Sequence, residues 1–245
     1  MTGLAHDDRA EAATGLPARL AAVQERVARA CRDAGRQPDE VRLMAVTKTH
    51  PAAVLEEAYA AGLRLFGENK VQEATAKVGE LGDRPDLRWA LIGHLQTNKA
   101  GQALALADEL HTLDSLRLAE SLDRRLQQEG RGLDVFVQVN SSGEAAKSGL
   151  APAEVEQFVL DLRPFSALRV RGLMTLAVFS DDQAAVAACF TRVQELQHRL
   201  RQLDAAPGRY DELSMGMSGD FELAIAHGAT TVRVGQTLFG ARPAR

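Results

Sequence analysis

The apolar positions along this chain change their period in a regular order. From Leu16 they fall at Leu20, Val23, Val27 and Ala30/Cys31, three and four residues apart, which predicts an amphipathic helix ending near Gly35. A short apolar run follows, Val41 to Val46, and reads as a buried strand. The rest of the chain repeats that couple of short apolar run and helical pattern. The helix after the first strand is predicted from Pro51, at its favoured first position, to about Ala61. Leu63–Phe66 is the second strand, with a helix over Val71–Leu81. Leu87–Ile92 is the third, followed by a helix over Asn98–Ala107. Glu109–Leu113 is a weak fourth strand before a clear helix from Ser115 to Glu129. Leu133–Val139 is the fifth, with a helix over Pro152–Leu162, and Val170–Leu176 the sixth. A long helix then carries Val186, Phe190, Val193, Leu196, Leu200 and Leu203 on one face. Glu212–Met215 is a poor seventh strand with a helix over Ser218–His227, and Thr231–Val234 is the eighth.

Strict alternation of strand and helix implies parallel strands covered by helices, and eight such units match a closed (β/α)8 TIM barrel with an extra N-terminal helix. A doubly wound open sheet is the alternative. No linker, charge run or repeat divides the chain, so 1–245 reads as one domain, with residues 1–15 expected to be a flexible tail. Composition narrows the function classes. With 29 Lys and Arg against 33 Asp and Glu, the chain is mildly acidic and offers no electrostatic footprint for nucleic acid or anionic membrane. No signal peptide and no run long enough to span a bilayer is visible. Cys31 and Cys189 lie in separate helical patterns, which fits a reducing cytoplasm. The six histidines have no metal-ligand spacing, and a serine-hydrolase elbow is absent.

In a parallel barrel the site forms where the strands end. Almost every strand here ends in polar residues: Thr47-Lys48-Thr49, Gly67-Glu68-Asn69-Lys70, Gly93-His94, then Gln138 and Asn140 with Glu144 and Lys147. Met174-Thr175, Ser214 to Ser218, and Arg233 with Gly235-Gln236-Thr237 complete the mouth. Lys48 follows an apolar strand, so partial desolvation would lower its pKa and free its amine to condense with a carbonyl. Otherwise it reaches solvent or pairs with Glu68. Ser214–Ser218 and Gly235–Thr237 offer hydroxyls and free backbone N–H groups where barrels often bind phosphate, or else they only make turns and caps. Arg233 should point inward, needing a partner that is either a ligand atom, such as a heteroaromatic nitrogen, or a barrel acid. Reactive lysine, phosphate cup and inward arginine together point to pyridoxal 5′-phosphate.

Six separate stretches in order carry a resemblance: AVTKTHP (45–51), FGENKVQE (66–73), IGHLQTNK (92–99), QVNSSGEAAKSG (138–149), GLMTLA (172–177) and LSMGMSGDFELAIAHGATTVRVGQTLFGAR (213–242). Over about residues 41–242 the chain resembles the YggS/PROSC pyridoxal phosphate homeostasis proteins. That resemblance implies a single barrel like the N-terminal domain of alanine racemase, holding pyridoxal phosphate. It implies Lys48 as the aldimine lysine and Arg233 beside the pyridine nitrogen. Ser214 with the backbone at Gly235 and Gln236 would sit on the phosphate, Asn69 at the cofactor edge, and Met174 in the cofactor-binding set. It makes Lys147 a lysine of a flexible loop that helps load or hand on the cofactor. Ala90 and Lys70 depart from common family residues, at positions that touch neither the lysine nor the phosphate.

The same resemblance implies a cytoplasmic monomer that stores and delivers cofactor, with apo pyridoxal enzymes as partners. Racemases of this barrel type add a β domain that supplies a tyrosine base. The sequence holds nothing after Arg242 for such a domain, and Tyr59 and Tyr210 fall in a helix and before a weak strand. Little or no turnover is therefore expected. A single-domain pyridoxal enzyme acting on an amino acid, such as a racemase, and a Schiff-base lysine aldolase are the alternatives.

Overall fold

The computed structural model describes residues 15–144, 146–203 and 206–240. Within them β1 (Arg42–Val46), β2 (Leu65–Glu68), β3 (Arg88–Leu91), β4 (Glu109–Leu113), β5 (Leu133–Val139), β6 (Leu168–Thr175), β7 (Glu212–Ser214) and β8 (Thr231–Val234) pair in parallel and in chain order. β8 returns to pair with β1 in the register Arg42↔Thr231 to Ala45↔Val234, so the sheet is a closed barrel and the open-sheet alternative falls. The helices are α1 (Leu16–Asp33), α2 (Ala52–Ala60), α3 (Val71–Leu81), α4 (Ala100–Leu104), α5 (Leu116–Glu129), α6 (Val155–Asp161), α7 (Gln183–Arg201), α8 (Phe221–Ala226) and α9 (Gln236–Phe239). The expected tail, apart from Gly15, lies outside the described residues.

The main core lies between barrel and helices. Phe66, Trp89, Leu110, Val135, Leu173, Leu213 and Val232 project outward from the strands onto buried helix faces. α1 buries Leu16, Leu20, Val23, Val27, Ala30 and Cys31, the face its spacing predicts. It packs on α8 and α9, with Arg19 donating to the Leu238 carbonyl at 2.6 Å and Arg26 paired with Glu222. Cys31 and Cys189 are buried, free thiols. Inside the barrel the apolar cluster is small, namely Met44, Leu65 and Ala90 with Ile92. No helix among the described residues is long and apolar enough to cross a membrane.

Several expected boundaries move for identifiable reasons. β2 runs Leu65–Glu68, two residues later than Leu63–Phe66. Leu63 N–H is still donating to the Ala58 carbonyl at the end of α2, and Glu68 can extend the strand because a buried partner neutralises it. Pro51 is not the first residue of α2 but its extended N-cap, accepting from Val54 N–H. The helix expected over Asn98–Ala107 is a 3-10 turn at Thr97–Lys99 and then α4, which stops at Leu104. The chain must turn there to let Asp108 N–H reach the Trp89 carbonyl. The Pro152–Leu162 segment likewise opens as a 3-10 turn before α6. α8 starts at Phe221 rather than Ser218, because Met217–Asp220 form a tight turn. The weak fourth strand is a full one with every residue buried.

Candidate functional site

Two registers locate the mouth. Val46 lies opposite Gly67 and Ala45 opposite Val234, so the chain leaving β1 runs between the segment after β2 at Asn69 and the segment after β8 at Gly235 and Gln236. Lys48 stands there, half-buried, in a turn directly after the strand. Its expected alternative partner Glu68 is taken: that carboxylate is fully buried, accepts from Thr47 Oγ1 at 2.6 Å and pairs with Lys77 at 2.6 Å. A Cβ on Gly67 would meet Met44 and Ile92 inside the barrel, so Glu68 points the other way, toward α3. Asn69 is brought to the same rim, half-buried, and its carbonyl would lie 2.2 Å from any Cβ on Gly93, which only glycine permits.

On the β8 side of Lys48, Ser218 Oγ faces the backbone N–H groups of Gly235 and Thr237 at 3.4 and 3.5 Å. These are long contacts at the end of their range, between a hydroxyl and amides at the start of α9. Ser214 is placed differently from the expectation that set it on an anion. Its hydroxyl is fully buried one step deeper, where it accepts from Arg233 Nη1 at 2.7 Å and lies 2.9 Å from His111 Nδ1. Alternation explains this: Ser214 is the last inward position of β7, whereas Ser218 lies past the Gly216 turn (φ 92) on the rim. The hydroxyl beside the Gly235 amides is therefore that of Ser218.

Arg233 is buried and inward, as its position in β8 predicts. Its other nitrogen, Nη2, donates to the Thr175 carbonyl at 2.7 Å. No carboxylate among the described residues forms an ion pair with it, so the barrel-acid alternative is not met by contact. Burial pulls its pKa down to about 10 against the raising charge of Asp220, and it stays a cation at neutral pH.

Arg233 heads a polar file that runs down the barrel. His111 Nε2 sits 2.9 Å from Glu109, and Arg42 grips both Glu109 oxygens at 2.7 and 3.3 Å and Glu212 at 2.9 Å. Ionised Glu109 can only accept, so His111 carries its proton on Nε2 and Nδ1 accepts from Ser214. The hydrogen bonds thus point one way, from Arg233 toward Glu109. Burial lowers the His111 pKa, against the pull of Glu109 and with the charges of Arg233 and Arg42, so the ring is neutral at pH 7. Burial alone would raise Glu109, but the hydrogen bond from His111 and then the bonds and charge of Arg42 outweigh it and bring the carboxyl down to about 2. Phe136 stacks on the imidazole at 4.1 Å. The file ends in a cavity of about 230 Å³ at the far mouth, lined by Arg42, Arg88, Glu109, Asp134, Arg171 and Glu212.

The remaining expected residues divide. Met174 is buried in register between Gln138 and Ser214, so it lies with the site. Gln138 Oε1 is buried with no hydrogen-bond partner among the described residues. Lys147 is not at the cup: its amine donates to the Ala177 carbonyl at 2.9 Å and pairs with Glu144. Sequence reasoning missed His111, Glu109 and Arg42 as site-supporting groups. The signal was there as polar residues two apart, Glu109/His111, Glu212/Ser214 and Thr231/Arg233, which in a barrel strand share the inner face.

The alanine racemase N-terminal domain family matches residues 18–243. A pyridoxal phosphate homeostasis protein of Pseudomonas aeruginosa is 45% identical over 223 residues, spanning 91% of this chain and 94% of the relative. The structure of PipY from Synechococcus elongatus PCC7942 with pyridoxal phosphate bound superposes with a TM-score of 0.81 at 41% identity, over 92% of this chain and all of that one. Alanine racemase of Clostridium difficile 630 shares the fold (TM-score 0.74, 14% identity), with 94% of this chain covering 57% of that one.

Proposed function

The chain belongs to the pyridoxal phosphate homeostasis protein family, within the alanine racemase N-terminal domain fold, and from that premise we propose that it holds pyridoxal 5′-phosphate at the C-terminal mouth of the barrel and delivers it within the cell. The observation that carries the reading is Arg233: a buried cationic guanidinium that no carboxylate among the described residues ion-pairs, held by Ser214 and the Thr175 carbonyl below a mouth that also has a lysine and weakly bonded backbone amides. The residues fit the group. Ser218 Oγ and the N–H groups of Gly235, Gln236 and Thr237 suit a phosphate, which would replace the long contacts they now make. Arg233 would face the ring nitrogen and keep it unprotonated. Met174 and the Gln138 oxygen, which has no hydrogen-bond partner among the described residues, would lie beneath it, with Asn69 at its edge.

When bound, the group supplies an aldehyde that condenses with a lysine amine, releasing water. We assign that amine to Lys48, which stands in the turn after β1 at this rim. Lys147, engaged with Ala177 and Glu144, is assigned to loading or hand-over rather than to the resting site. The reading is of a holder with little or no turnover. It is supported by the two tyrosines: Tyr59 donates to Asp86 at 2.6 Å on the helical exterior, and buried Tyr210 donates to the Pro207 carbonyl at 2.8 Å. Neither is placed to move a proton at the mouth. A cytoplasmic monomer serving apo-enzymes completes the proposal.

The test is the absorbance spectrum of the purified protein before and after borohydride, with peptide mass mapping. A visible band removed by borohydride, with the adduct on Lys48 and none in Lys48→Ala, is expected. A colourless protein that takes up no added pyridoxal phosphate overturns the reading and favours a lysine aldolase. Amino acid racemisation that disappears in Lys48→Ala makes the chain an enzyme instead.

A further inference from the structure

Lys48 occupies the second place of a four-residue turn, Thr47–His50, closed by His50 N–H donating to the Thr47 carbonyl at 3.1 Å. The third place, Thr49, has φ 69, one of two positive values among the described non-glycine residues. A negative φ followed by a positive one is the sign pattern of a type II turn, whose third place ordinarily goes to Gly or Asn. In a β-branched residue that conformation is strained and persists only where the surroundings hold it.

Two side chains of α3, one helical turn apart, do the holding. Lys77 Nζ donates to the Thr47 carbonyl at 2.8 Å, and Glu73 accepts the Thr49 N–H. They are joined to each other at 2.7 Å, and Lys77 is anchored in turn on buried Glu68 at 2.6 Å. The backbone is thus gripped on both sides of Lys48, from the sheet–helix layer rather than from within the barrel.

We propose that Lys77 and Glu73 are positioning residues that lock the Lys48 turn in its strained form and so aim the Lys48 amine into the mouth. The inference rests on the reading of Lys48 as the attachment lysine. It is tested by mixing the full-length protein with pyridoxal phosphate, quenching with borohydride at successive times, and following the adduct on Lys48 by mass. Glu73→Ala is expected to slow labelling about tenfold, the loss of one hydrogen bond that preorganises the amine, with the protein still folded because Glu73 is partly exposed. Adding Thr49→Gly should restore the rate, because glycine adopts the positive φ unaided. Glu73→Gln, which keeps an oxygen for Thr49 N–H, should label near the wild-type rate. Labelling of Glu73→Ala at the wild-type rate, or no recovery with Thr49→Gly, overturns the clamp alone. A wild-type protein with no adduct at Lys48 overturns the cofactor reading and the clamp with it.

Discussion

Glu109 keeps a charge inside the barrel, and the cost of doing so depends on pH. Its carboxyl, ordinarily near 4.5, is held down to about 2 once folded. A depressed folded pKa gives stability that is fully present above the unfolded value and lost as pH falls from about 4.5 to 2. For this buried group that is on the order of 3 kcal/mol. Urea midpoints measured across that window should fall steeply in the wild type and less so in Glu109→Gln, which should also be less stable at neutral pH with Arg42 and His111 short of a partner. Equal slopes would remove Glu109 from the account. At this scale the sequence revealed residues whose place in the barrel already implies chemistry, such as Lys48 after β1 and Arg233 inside β8. Ser214 lies one step deeper than the rim, bonded to Arg233 and His111, because inward or rim position depends on where β7 stops, which a motif does not show. His111 and Lys77 stayed hidden because each looks ordinary in sequence. Only the fold sets one between Ser214 and Glu109 and the other beneath the Lys48 turn.

Strands and helices were more legible than side-chain roles. β4, β5, β8 and α3 have the boundaries their patterns predict. Errors came where a polar residue extends a strand, as Glu68 does, or where a helix opens with a 3-10 turn, as at Thr97 and Pro152. The β6 bulge was also invisible. The pairing with β5 slips after Val135, and Gly172 then lies so close to β7 that a Cβ would stand 1.7 Å from the Glu212 carbonyl oxygen. Gly172→Ala should therefore separate β6 from β7, the strands that carry Met174 and Ser214, and lower stability by about 1–3 kcal/mol. Chemical denaturation checks this; an unaltered midpoint would mean that the two strands part without penalty.

The molecule as a whole should respond to its ligand by mass action. At a hundred times the Kd, pyridoxal phosphate adds about 2.7 kcal/mol, or roughly 5–10 °C in Tm for a chain of this size. Ser218→Ala should show a clearly smaller rise at the same concentration, while a rise equal to the wild type's would place the phosphate elsewhere. The closed single barrel was readable from the count of eight alternations, although an open sheet has the same local pattern. What settles it is the pairing of β8 with β1, between residues 189 apart. That pairing has a consequence for biosynthesis. As the chain leaves the ribosome, β2 to β7 can each add to the strand before, yet the outer edge of β1 waits for β8. Arg233 and the Gly235–Thr237 amides emerge with β8 or just behind it. A half-made chain therefore carries an open sheet with the β1 edge unpaired, and the barrel seals only after β8 has been made.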